Sequence, residues 1–140
     1  MILTNALNLA LAYFQLQQTN RGIQVLDQLI VQPQTDMSTL LTVAQAYAQL
    51  GYATGLEKAL VRLVTIAPDN PEAWYDLAAI QATLSKTNEA VASLGRAVQL
   101  SNQRLAQQPK SKNLAALATL DDKFVSLRTM PQFRGLFAPK

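Results

Sequence analysis

The chain has 140 residues, 49% apolar and only 15% charged, with 12 basic and nine acidic side chains, no cysteine and no histidine. That is room for one domain with a continuous core. The two absences remove disulfides, thiolate chemistry, Cys/His zinc sites and histidine acid–base catalysis. Charge is uneven: residues 1–95 carry four basic and seven acidic side chains, residues 96–140 eight and two. A basic end points to nucleic acid or, more simply, to a solvated terminal helix.

In chain order, the first predicted helix covers about 3–17, with Ala6, Leu7, Leu9, Ala10, Tyr13, Phe14 and Leu16 at helical spacing. A second follows at about 20–31 through Ile23, Leu26, Leu29 and Ile30, and Pro33 ends it. Asp36 is placed to cap the third, about 37–50, and Gly51 to stop it. Thr54-x-x-Glu57 has the capping-box pattern for a fourth helix over about 55–66, closed by Pro68. Asn70 and Pro71 open a fifth over about 71–84, and the sixth covers about 88–103. Beyond Pro109, Ser111 is a candidate cap for a helix through Asn113–Arg128, and a short last helix ends near Phe137.

The stretches Met1–Asn20 and Met37–Leu56 contain no charged side chain. Amides at Asn5, Asn8, Gln15, Gln45 and Gln49 interrupt both, and burying these in lipid without partners is costly, so neither predicts a membrane span. Met1 leads into the helix pattern with no basic segment and no cleavage-site pattern, unlike a signal peptide. The compartment stays open, with the cytoplasm favoured, and the chain reads as the C-terminal part of a longer protein.

Slid by 34 residues, the chain superimposes on itself three times. Leu26, Leu60 and Leu94 align, as do Ala10, Ala44 and Ala78, then Leu9, Val43 and Leu77, and Leu16, Leu50 and Leu84. Tyr13 matches Tyr47, with Gln81 in the third copy. Such a period marks supersecondary units that bury their apolar faces only by stacking, and the matched columns are the expected packing positions.

The third copy reads Trp74-x-x-Leu77-Ala78, Ala90-x-x-x-Leu94, Ala97; the second reads Leu40-x-x-Val43-Ala44-x-x-Tyr47, Leu56-x-x-x-Leu60, Pro68. This resembles the tetratricopeptide repeat. The tail Asp121-x-x-Phe124-x-x-Leu127-Arg128-x-x-Pro131-x-Phe133-x-x-Leu136 is similar to the C-terminal tail of bacterial members. The resemblance implies an all-α solenoid of three helix-turn-helix units, 3–36, 37–70 and 71–104, with a C-terminal helical cap over 105–140.

It also implies a protein-binding module with a concave groove lined by the first helix of each unit. By the 34-residue correspondence that groove is Leu7, Leu11 and Phe14, then Leu41 and Gln45, then Tyr75 and Ala79, with Glu72 at its edge and Asp76 alongside. Tyr75 and Phe14 are the expected anchors. No basic residue occupies these positions, which disfavours clamping of a terminal carboxylate. The expected partner is another protein or peptide presenting an apolar helix or extended segment.

No phosphate-binding loop, nucleophile motif, metal site or cofactor is implied, so the chain does not read as an enzyme. Glu72 and Asp76, four apart on one helix, suit solvation or partner recognition better than acid–base work. Two alternatives stand beside the binding module. One is an accessory domain of a larger, membrane-bound bacterial enzyme whose catalytic part lies elsewhere. The other, disfavoured, is nucleic-acid binding through Arg96, Arg104, Lys110, Lys112, Arg128 and Arg134. Self-association is a further option.

Overall fold

The computed structural model describes residues 3–137; the side chains of Leu3 and Thr4 lie outside the description. Among the described residues there are helices and turns and no strand. The chain divides into two compact units, Met1–Ile66 and Ala67–Lys140.

The first unit is two helical hairpins: α1 (Leu3–Gln15) with α2 (Thr19–Val31), and α3 (Met37–Leu50) with α4 (Ala53–Ile66). α2 packs on both α3 and α4, and α1 also touches α3. Its core is Ala6, Ala10, Leu26, Leu29, Ile30, Leu40, Val43, Tyr47, Ala59, Leu60 and Leu63. Small Ala6 and Ala10 let α1 approach closely, and Leu26 and Leu40, with no exposed surface, fill the space between. Asp36 caps α3 by accepting the Thr39 N–H at 2.8 Å. The Tyr47 hydroxyl on α3 donates to the Asp27 carboxylate on α2, tying the two hairpins with a polar contact as well as an apolar one. Arg62 reaches back to the Gln32 carbonyl at 3.0 Å.

The second unit opens with a third hairpin, α5 (Pro71–Thr83) and α6 (Thr87–Gln107). The Asn70 side chain caps α5 through the Ala73 N–H, and Pro71 occupies the first turn, where its missing N–H has no helical partner to lose. α7 (Leu114–Leu120), a 3₁₀ helix (Asp122–Leu127) and α8 (Pro131–Gly135) follow. Leu114, Ala118, Phe124, Leu127 and Phe133 from these last elements join Tyr75, Ala78, Ala82, Ala90, Leu94 and Ala97 in one core.

The 34-residue period extends to the backbone of the turns. Among the described residues Gln17, Gly51 and Ser85, each 34 apart, have left-handed φ, at 61°, 70° and 62°. In each turn the next N–H bonds back to a carbonyl five residues earlier: Gln18 to Tyr13 at 2.8 Å, Tyr52 to Tyr47 at 2.9 Å, Lys86 to Gln81 at 2.8 Å. This is the six-to-one bond that closes a helix with a left-handed residue. Only the middle turn uses glycine.

Several expectations are corrected. Leu9 and Leu16 sit in packing columns, yet they are 40% and 66% exposed while Val43 is fully buried. Thr54 does not stand ahead of the fourth helix as its cap: α4 begins at Ala53 and holds Thr54 inside its first turn. Asn113, not Ser111, caps α7, accepting the Ala116 N–H at 3.0 Å. The helix expected over Asn113–Arg128 breaks at Asp121, whose backbone is extended (φ −79°, ψ 121°). α6 continues to Gln107 because nothing interrupts it before Pro109.

Candidate interaction surface

On α5 the expected groove positions are closed by the chain's own tail. Tyr75 and Ala79 are each 8% exposed. The Phe124 ring meets Tyr75 edge-to-face with centroids 5.2 Å apart, and the Tyr75 hydroxyl donates to Asp121 Oδ2 at 2.7 Å. Burial first, then the Asp121 carboxylate, pushes the Tyr75 phenol well above its ordinary pKa, so it remains a donor. Asp121 is the hub of this closure: its other oxygen accepts the Lys123 N–H at 3.0 Å, and its carbonyl accepts from Arg128 at 3.2 Å. Burial raises this carboxyl, but the Lys123 N–H, the Tyr75 hydroxyl and the charges of Lys123 and Arg128 outweigh it and leave the net value below an ordinary aspartate.

Glu72 is not free for a partner either. Arg104 on α6 lies 2.8 Å from its Oε1 and donates to Oε2 at 3.1 Å. Asp76 remains exposed on α5. Partial desolvation raises its carboxyl, Lys123 and Lys112 pull it back, and Glu72 adds to the rise. Glu72, Tyr75 and Ala79 share one face of α5 by their spacing, but the sequence does not show their coverage, because Asp121 and Phe124 lie 46 and 49 positions from Tyr75.

On α1 and α3 the corresponding positions divide differently. Leu11 is 42% and Leu41 44% exposed, Gln45 is exposed, and Leu7 is half-buried. These four belong to neighbouring first helices of one unit. Phe14 instead turns toward α2: a Cβ built at Gly22 would lie 2.3 Å from its ring. Phe14 therefore packs within its own hairpin, and Gly22 is the signal that could have shown it. Gln81, which departs from the tyrosine column, accepts from the Ser93 hydroxyl at 2.7 Å inside the α5–α6 hairpin, so the exchange is satisfied locally.

The basic residues of the C-terminal end are largely engaged within the unit. Arg104 holds Glu72, Arg128 holds the Asp121 carbonyl, and Arg96 lies 3.8 Å from Asp69. Arg134 donates to the Thr129 carbonyl at 3.4 Å. Lys110 and Lys112 are exposed. Among the described residues no group of three His, Cys, Asp or Glu side chains could hold a metal ion, and no helix is long and apolar enough to cross a membrane.

Residues 71–104, α5 with most of α6, match the sequence profile of the tetratricopeptide repeat. A solved structure of a MamA mutant has a similar fold, with a TM-score of 0.51 and 18% identity, over 97% of this chain and 96% of that one. Residues 71–104 are a tetratricopeptide repeat. No curated protein matches it. The tetratricopeptide hairpin is the one whose Trp74 is kept, its indole N–H donating to the Pro68 carbonyl at 2.8 Å. The fold class is accordingly an all-α repeat of the solenoid type.

Proposed function

We propose that this tetratricopeptide-repeat chain is a protein-interaction module that takes an uncharged, apolar helix or extended segment on the first-helix face of its first unit. Leu7, Leu11, Leu41 and Gln45 would form that face. The observation that carries this reading is the contrast between equivalent positions: Leu11 and Leu41 stand over 40% exposed, whereas Tyr75 and Ala79 are buried under the tail. Apolar side chains of this size, side by side on two neighbouring helices and without charge around them, favour a partner that brings apolar surface rather than a carboxylate or phosphate.

The test is affinity capture of a partner followed by titration with purified proteins. Leu11→Glu combined with Leu41→Glu is expected to weaken binding by about tenfold or more, since each places a charge against an apolar partner surface. Tyr75→Phe, which alters only a covered position, is expected to leave affinity unchanged. Equal affinity of the Leu11/Leu41 variant and the unaltered chain would overturn the assignment.

A further inference from the structure

We draw no further inference here: the strongest candidate, the exposed apolar surface patch of Leu117, Leu120 and Val125 on α7 and the 3₁₀ helix of the C-terminal tail, carries nothing because nothing in the structure shows what covers it.

Discussion

Gln17 and Ser85 hold the left-handed conformation that Gly51 adopts at the equivalent turn. A side chain in this region brings Cβ against the following carbonyl, a strain that glycine avoids, while glycine pays more entropy on folding. The strain outweighs the entropy at a helix end, so Gln17→Gly and Ser85→Gly are each expected to stabilise the fold by about 0.5–1 kcal/mol. Chemical denaturation of the single variants measures it, and a loss of stability at both turns would refute it. Asp121 makes a second prediction at this scale. Its carboxyl is held below the ordinary value, so it stabilises the folded chain above the unfolded aspartate pKa of about 3.9 and that contribution fades as pH falls through the lower, folded value. Asp121→Asn is expected to lose stability at neutral pH and to show a flatter decline than the unaltered chain below about pH 4. Parallel acid-unfolding curves would show that the Tyr75–Asp121 closure carries no pH-dependent stability.

At the scale of elements, the hairpins depend on close ring-to-backbone packing. A Cβ at Gly55 on α4 would lie 2.6 Å from Tyr52 and 2.8 Å from Tyr47, whose rings meet edge-to-face at 5.3 Å. Tyr47 has no exposed surface into which it could retreat. Gly55→Ala is therefore expected to destabilise the first unit by about 1–3 kcal/mol despite alanine's better helix propensity, as read from the denaturation midpoint. A stabilised variant would mean that the rings reorganise freely. Six of the helices were legible in the sequence because the 3.6-residue apolar pattern and the stops at Gly51, Pro68, Asn70 and Pro109 are local signals. The break at Asp121 was not. Leu114, Leu117, Leu120, Phe124 and Leu127 keep helical spacing, but a buried tyrosine hydroxyl on α5 competes for Asp121 and the chain turns there to meet it.

At the scale of the molecule, equivalent first-helix positions are expected to respond differently: Leu11→Glu with Leu41→Glu should weaken partner binding, whereas Tyr75→Phe, under the tail, should not. Titration of both variants checks this, and equal losses would mean that the covered position also meets the partner. The groove itself was half legible. Leu11, Leu41 and Gln45 are exposed on their first helices and Leu7 is half-buried. Tyr75, Ala79 and Glu72 are on the expected face too, but a tail and an arginine already use them.

The sequence alone determined the repeat, its hairpins and the absence of histidine and cysteine chemistry, because period, caps and composition are properties read within about 34 residues of any point. Whether a given column is core or surface was decided only in three dimensions. Leu9 and Val43 are equivalent by register and opposite in burial, and Tyr75 closes through partners 46 and 49 residues away. Burial depends on what packs against a face, and a repeat pattern is blind to its own ends.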